Sequence, residues 1–222
     1  MYCKVLFIMT DHEHLKTLTD IRNIMDRSSR FRALSGLSGV SAGIIGLVGA
    51  YIAHSWIGDY YDRWNMRGGY DDYDFAGLRG NLIVLGFVVM AAAFLSGFLF
   101  TYRKAKQNNL PVWDHTAKKV LVNCAIPFLT GGVFILALIY NNVTQIIAPC
   151  CLIFYGLALV NGSKYTLQDV RYLGITEIAL GLINMFFLRK GIIFWAIGFG
   201  FCHIIYGALM WWKYERKGSL QT

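Results

Sequence analysis

Charged residues are scarce in this chain. Asp, Glu, Lys and Arg make up 15% of its 222 residues, whereas a soluble domain carries roughly 25%. So little charge cannot cover a water-facing surface, which excludes an ordinary soluble domain. Hydrophobic residues make up 56% of the chain, and its mean hydropathy is +0.46. They gather in blocks about as long as a bilayer core is thick. The sequence therefore predicts an integral membrane protein.

Motifs for catalysis and metal binding are also missing. No G-x-S-x-G, H-E-x-x-H or Walker A pattern occurs in a context suited to catalysis, so we do not expect an enzyme. The five cysteines lack C-x-x-C spacing, and four of them lie in hydrophobic blocks. This pattern favours buried free thiols over a zinc site or disulfides. We therefore predict no cofactor and no metal site.

Six hydrophobic blocks predict six transmembrane helices, at about 33–55, 81–101, 120–140, 145–160, 170–188 and 192–212. Short polar turns after the third and fifth blocks predict that the helices form hairpins, three in all. The expected fold class is an all-α, polytopic membrane helix bundle, with residues 33–212 as its transmembrane domain. Residues 1–32 should form a cytoplasmic segment with an amphipathic helix. Residues 56–80 should form an outer loop, and residues 213–222 a cytoplasmic tail.

The basic residues predict the orientation of the bundle. Of 21 Lys and Arg, 16 fall on the side that holds both termini and five on the opposite side. Cytoplasmic loops carry the excess of Lys and Arg, so both termini should be cytoplasmic. We expect a multi-pass protein of the plasma membrane, the inner membrane in bacteria. The net charge of +8 follows from this bias, and no nucleic-acid partner is expected.

The first block carries glycines on a single helical face. Gly36, Gly39, Gly43 and Gly46 are spaced by three, four and three residues. In lipid, small residues let helix backbones approach closely, so this face should be a packing seam. The seam could lie within the bundle or between two copies of the chain, which leaves a homo-oligomer open.

Two ionisable residues lie deep in predicted spans. Glu177 is eight residues from Asp169, at the inner end of the fifth span, and His203 is nine from Trp212, at the inner end of the sixth. At 1.5 Å per residue both lie near the midplane of a core about 30 Å thick. Each shares a helical face with glycines, so we expect the two faces to approach and the two side chains to pair. Ionisable groups at this depth are costly and commonly functional.

Other polar side chains could complete a proton or ligand site. Asn184 shares the face of Glu177, while Tyr155 and Tyr206 lie in the fourth and sixth spans. A carboxylate and an imidazole together suit a proton relay, a pH sensor or a site for a cation or small polar ligand. The alternative is a polar clasp that only sets helix register. Arg171 should reach the cytoplasmic interface or pair with Asp169 or an anionic ligand.

A short pattern recurs in the fourth and sixth spans. Residues 151–156 read Cys-Leu-Ile-Phe-Tyr-Gly, and residues 202–207 read Cys-His-Ile-Ile-Tyr-Gly. The overall layout and these Tyr-Gly pairs resemble uncharacterised small six-helix bacterial membrane proteins built from helix hairpins. The resemblance implies no activity and no residue roles.

Two hypotheses of function follow. In the first, the protein is a small transporter, channel or pH or ligand sensor that uses an intramembrane Glu–His pair. In the alternative, it is a non-catalytic scaffold or regulatory subunit that oligomerises or binds a partner through its Gly-rich first helix. The lipid bilayer is the partner common to both, and the small ligand or ion stays unknown.

Overall fold

The computed structural model describes residues 34–67, 72–109, 111 and 113–216, and all regular structure within them is helical. The first five long helices are α1 (Gly36–Arg67), α2 (Asp72–Gln107), α3 (His115–Tyr140), α4 (Ile147–Gly162) and α5 (Gln168–Phe186). The sixth, α6, is a continuous run of four segments: Gly191–Trp195, Ala196–Cys202, His203–Met210 and Trp211–Glu215. Three-residue 3₁₀ turns precede α4, α5 and α6. The expected N-terminal amphipathic helix lies outside the described residues.

Five of these helices are long and apolar enough to cross a membrane. The exception is α5, whose 19 residues include Asp169, Arg171 and Glu177. It has the length of a span, but all three of its charged residues fall within one 18-residue stretch, and Glu177 lies at its centre. Five helices of this kind indicate a multi-pass membrane protein, and α5 completes a set of six long helices.

The first two helices are longer than the expected spans. α1 has 32 residues and α2 has 36, so at 1.5 Å per residue they extend about 48 and 54 Å, well beyond a core of about 30 Å. Most of the segment 56–80, expected to be a loop, is therefore helical. The extensions pack on each other where the rings of Tyr60 and Phe75 lie 6.1 Å apart. Likewise α6 continues to Glu215, into the expected tail.

Helix starts follow local chemistry. Asp114 caps α3, because its carboxylate accepts a 2.6 Å hydrogen bond from the backbone N–H of Ala117. Pro149 lies in the first turn of α4, where the missing N–H has no intrahelical partner to lose. Pro127 lies inside α3.

The packing order differs from the chain order. α1 packs between α2 and α6, and α4 packs between α3 and α5. α5 packs far more extensively against α4 than against α6, its neighbour across a tight turn. The glycines of α1 therefore pack on α6, the last helix, whereas the glycines of α4 pack on its sequence neighbours α3 and α5.

The glycine seam of α1 is filled by α6. A Cβ at Gly43 would lie 2.7 Å from the carbonyl oxygen of Gly200, and one at Gly46 would lie 2.5 Å from that of Phe199. Gly36 and Gly39 lie against Gly207 in the same way. The seam is thus internal to the chain, and α6 covers the face that could have joined two copies.

Candidate functional site

The site begins with the buried face of α5. Gly174, Glu177, Gly181 and Asn184 are all buried, as their helical spacing predicts. A Cβ at Gly174 would lie 2.8 Å from the carbonyl oxygen of Gly156, so the backbones of α5 and α4 nearly touch. This approach leaves no gap beside Glu177, whose side chain is 0% exposed.

The second wall is α6, which is not a regular α-helix at this level. Residues Ala196–Cys202 form a π-helical segment, and His203 begins the α-helical segment that follows. Gly198 lies directly against the carboxylate, because a Cβ there would be 2.5 Å from Oε2 of Glu177. A larger residue at that position would push the ends of the Glu177 and Leu152 side chains aside.

Glu177 and His203 lie side by side. Nδ1 of His203 is 3.4 Å from Oε1 of Glu177 and 3.0 Å from the carbonyl oxygen of Gly198. Nε2 of His203 is 2.8 Å from the hydroxyl oxygen of Tyr155 on α4. His203 is 5% exposed. Three helices therefore each contribute one polar side chain to a closed centre.

The hydrogen bonds restrict where protons can be. A carbonyl oxygen only accepts, so Nδ1 of His203 carries a proton that it donates to Gly198. Nε2 then accepts from the Tyr155 hydroxyl if the ring is neutral, or donates to the hydroxyl oxygen if the ring is charged. Both oxygens of Glu177 lack a hydrogen-bond partner. The 3.4 Å contact to His203 is an ion-pair distance rather than a good hydrogen bond.

Two proton arrangements are compatible with this geometry. In one, Glu177 is protonated and His203 is neutral; in the other, Glu177 is a carboxylate and His203 an imidazolium. Both contain the same number of protons and both are electrically neutral. Gain or loss of one proton leaves a net charge in a buried place, which is costly. When the centre is electrically neutral, it therefore holds one proton that either side chain can carry.

Aromatic rings close the centre. Phe199 lies 5.2 Å from the ring of Tyr155 and 4.6 Å from that of Trp195, measured between centroids. Leu152 of α4 is fully buried beside Gly198. This apolar shell strengthens the electrostatic interactions inside it.

The other predicted site residues lie elsewhere. Asn184 is fully buried two helical turns from Glu177, about 10.5 Å along the axis; its amide donates to the carbonyl of Phe187, while its Oδ1 has no partner. Tyr206 contacts Thr176 at 3.4 Å rather than His203. Arg171 is exposed. No group of three candidate metal ligands occurs in the described part of the chain.

The structure also corrects the reason for the pairing. We expected the glycine faces of α5 and α6 to meet each other. Instead Gly181 packs on the α4 backbone at Pro149, while Gly200 packs on Leu47 and Gly207 on the α1 backbone. The two side chains come together beside Gly198 of the π-helical segment, which leaves room for the carboxylate. The sequence shows a glycine at residue 198, but it does not show the π-helical turn that places this glycine against the carboxylate.

A second polar cluster, which the sequence analysis missed, joins three helix ends. Glu215 at the end of α6 accepts a 2.6 Å hydrogen bond from the backbone N–H of Gly36 and a 3.1 Å one from Lys104 at the end of α2. Lys104 also donates to the carbonyl of Leu34 at 2.6 Å. The only signal in the sequence was a single acid in a basic stretch. We call this group the Glu215 cluster.

Asp169 is held at the same end of the bundle. It accepts a 2.7 Å hydrogen bond from the hydroxyl of Tyr214 and 3.2–3.3 Å bonds from Lys213. Asp169 thus pairs with α6 rather than with Arg171. Together with the Glu215 cluster it ties the end of α6 to the starts of α1 and α5.

Comparison with known proteins adds no assignment: no protein-family model matches the chain, and neither the curated proteins nor the solved structures contain a match.

Proposed function

We propose that this membrane protein binds and releases a proton at the centre formed by Glu177, His203 and Tyr155, and works as a proton-coupled transporter or pH sensor. The observation that carries the proposal is the state of Glu177. Its side chain is 0% exposed, both carboxyl oxygens lack a hydrogen-bond partner, and Nδ1 of His203 lies 3.4 Å from Oε1.

A purely structural clasp is expected to look different. Polar groups that only fix helix register have their hydrogen bonds satisfied, because an unsatisfied buried group costs about 1–3 kcal/mol. An acidic residue at a helix centre in the membrane costs about 2.5–3.5 kcal/mol by insertion scales. Glutamine would set the same register at lower cost. A buried carboxyl that lacks hydrogen-bond partners therefore favours a role in which its proton comes and goes.

The proposed orientation in the membrane rests on the distribution of the basic residues. We place both termini in the cytoplasm of a bacterial cell and the chain in the inner membrane, because 16 of 21 basic residues fall on the terminal side. The Glu215 cluster and Asp169 then lie on the cytoplasmic side, and the turns between α3 and α4 and between α5 and α6 face outward. We take residues 33–212 as one hairpin-built transmembrane domain.

The test is infrared difference spectroscopy of the purified protein in lipid vesicles, titrated across pH. We expect one carbonyl stretching band of a buried carboxylic acid to appear and disappear with pH in the unsubstituted protein. Glu177→Gln keeps the shape of the side chain and should abolish that band. Asp169→Asn, at the partly exposed end of α5, is the matched control and should leave the band in place.

The proposal fails if the spectra of the unsubstituted protein and Glu177→Gln are the same at every pH. Proton movement into the vesicles, followed with a trapped pH-sensitive dye, separates the two branches. Flux lost in Glu177→Gln indicates transport, whereas a titrating carboxyl without flux indicates a sensor.

A further inference from the structure

The six helices pack as two groups of three. α1 packs between α2 and α6, and α4 packs between α3 and α5, whereas contacts between the two groups are sparse. Within the first group, a Cβ at Gly207 would lie 2.7 Å from the carbonyl oxygen of Gly36. Within the second, a Cβ at Gly156 would lie 2.6 Å from that of Gly174. Packing this close makes each group a rigid unit. We call α1, α2 and α6 the first half of the bundle, and α3, α4 and α5 the second half.

The proton centre lies between the two halves. Both the contact of His203 with Glu177 and its bond to Tyr155 join the first half to the second. The halves meet here through side chains, because a Cβ at Gly198 would meet the side chains of Glu177 and Leu152 rather than backbone. A movement of one rigid half against the other therefore changes the access of water to the centre.

The chain crosses between the halves twice, at opposite ends of the bundle. Residues 187–190 join α5 to α6 in a tight turn, in which the backbone N–H of Lys190 bonds to the carbonyl of Phe187. Residues 108–114 join α2 to α3 at the end where α1 begins and α6 ends, which we call the terminal end. α5 and α6 are thus held covalently at one end and by side chains at the terminal end. A movement of the halves separates them at the terminal end.

Asp169 connects the halves at that end. Its carboxylate, at the start of α5, accepts a 2.7 Å hydrogen bond from Tyr214 and bonds of 3.2–3.3 Å from Lys213, both at the end of α6. The side chain of Lys213 is 57% exposed and that of Asp169 is 21% exposed. Water therefore reaches this contact but not Glu177 behind it.

Hydroxyl groups lie between this contact and the centre. The hydroxyls of Thr176 on α5 and Tyr206 on α6 are 3.4 Å apart, again across the two halves. Thr176 immediately precedes Glu177, and Tyr206 is three residues from His203 toward the terminal end. Hydroxyls both donate and accept hydrogen bonds, so these two can pass a proton together with water that enters between the helices.

The opposite direction is closed by backbone packing. Gly181 is the next residue on the face of Glu177, and a Cβ there would lie 2.9 Å from the carbonyl oxygen of Pro149. Beyond it, Asn184 is fully buried and its amide donates to the carbonyl of Phe187. α4 therefore packs tightly against α5 between Glu177 and Asn184, and the hydroxyl pair lies toward the terminal end.

We propose that Glu177 exchanges its proton with water at the terminal end, through an opening between α5 and α6 that Asp169 closes and that Thr176 and Tyr206 line. This inference rests on the proposed function, because it requires Glu177 to gain and lose a proton. It adds the side from which the proton comes and the residues that control its passage.

The tight turn determines the shape of the opening. Along α5, Glu177 is ten residues from Phe187 and Asp169 is eighteen, which correspond to about 15 and 27 Å. A rotation about the turn therefore separates α5 from α6 nearly twice as far at Asp169 as at Glu177. The opening is a wedge whose wide end faces the water at the terminal end.

The first test measures how fast the carboxylic acid proton of Glu177 exchanges with deuterium. The protein in lipid vesicles is mixed rapidly with heavy water at a pH at which the acid band is present, and the shift of the band is followed in time. Tyr155 and Cys202 interact electrostatically with Glu177, but phenols and thiols have no carbonyl band. The signal therefore belongs to the carboxyl group.

Asp169→Asn keeps the shape of the side chain and removes the charge that binds Lys213. The amide keeps part of the hydrogen bonding, so we expect exchange to be about tenfold faster, a factor that corresponds to about 1.4 kcal/mol. The band itself should persist in this variant, because Asp169 lies outside the centre. Arg79→Ala is the matched control: it removes a hydrogen bond to Asn142 that joins the halves at the other end, and it should leave the rate unchanged.

The outcomes separate this inference from the proposed function. If the acid band titrates but Asp169→Asn exchanges at the rate of the unsubstituted protein, or if Arg79→Ala is the faster variant, this inference is overturned and the proposed function stands. If the band does not titrate, both are overturned.

A second test locates the water path by labelling. Thr176→Cys, with the native cysteines replaced by alanine, is treated with a charged thiol reagent in membrane vesicles of both orientations. We expect it to react in the orientation in which the exposed Lys106→Cys reacts, and faster in combination with Asp169→Asn. Ile175→Cys is 48% exposed at the same depth and should stay unreactive, because it faces lipid. Reaction of Thr176→Cys in the orientation that labels Met66→Cys, at the other end, or equal reaction of Ile175→Cys would overturn the inference.

Discussion

Because α1 and α6 cross closely at Gly207, we predict that a single added methyl group there lowers the stability of the protein strongly. In Gly207→Ala the new Cβ would lie 2.6 Å from the backbone nitrogen of Val40 and 2.7 Å from the carbonyl oxygen of Gly36. Both are backbone atoms, so no flexible side chain can move aside. The helices themselves must separate.

The size of the effect follows from these distances. Moving the 2.6 Å contact out to the 3.4 Å of ordinary contact requires about 0.8 Å of separation. A gap of this size forfeits roughly a quarter to a half of the dispersion energy of each contact. Overpacking in cores costs about 1–3 kcal/mol, and we expect Gly207→Ala to lie at the upper end, because its obstruction is backbone on all sides.

The assay is reversible unfolding of the purified protein by denaturing detergent in mixed micelles, followed by circular dichroism. Gly86→Ala on α2 is the matched control, since a Cβ there meets nothing within 4 Å. Alanine has the higher helix propensity, so this control should be neutral or stabilising by up to about 1 kcal/mol. Equal stability of the two variants would refute the close crossing.

Three further changes test other contacts in the same unfolding assay. Tyr155→Phe leaves Nε2 of the buried His203 without its hydrogen-bond partner and should lower the stability by about 1–3 kcal/mol. If the nitrogen NMR spectrum of the imidazole is unchanged in this variant, the hydrogen bond to Tyr155 is contradicted. Glu215→Ala removes charged hydrogen bonds to Gly36 and to α2 and should cost about 1.5–3 kcal/mol, whereas a silent variant would show that the cluster does not hold the helix ends. Asp114→Ala removes the cap of α3 and should cost about 1 kcal/mol, and a loss as large as that of Gly207→Ala would mean that Asp114 does more than cap.

The prediction of six helices succeeded because it depends on local properties. Runs of apolar residues long enough for a bilayer need no partner to be recognised, and Asp114 satisfies a backbone donor three residues away. The expected boundaries were too short for α1 and α2. Their polar and aromatic extensions are helical outside the apolar runs, and hydropathy does not register helices that leave the membrane.

The face of α5 was also predictable, since helical spacing alone places Glu177 with Gly174, Gly181 and Asn184. The depth of Glu177 and His203 followed from counting residues along two helices. Residue counting did not reveal which of Tyr155 and Tyr206 contacts His203. Both occur in the same Cys-x-x-x-Tyr-Gly pattern, yet only Tyr155 reaches His203, because α4 and not the next turn of α6 lies on that side of the ring.

The sequence by itself thus determined which segments enter the membrane and which face of each helix carries its polar or small residues. These follow from the solvent preference of each residue and from the period of the helix. Only the tertiary structure decided that α1 packs on α6, that α5 packs on α4, and that Gly198 admits the carboxylate. In lipid several glycine faces offer equally good backbone contacts, so the pairing depends on how all six helices pack at once.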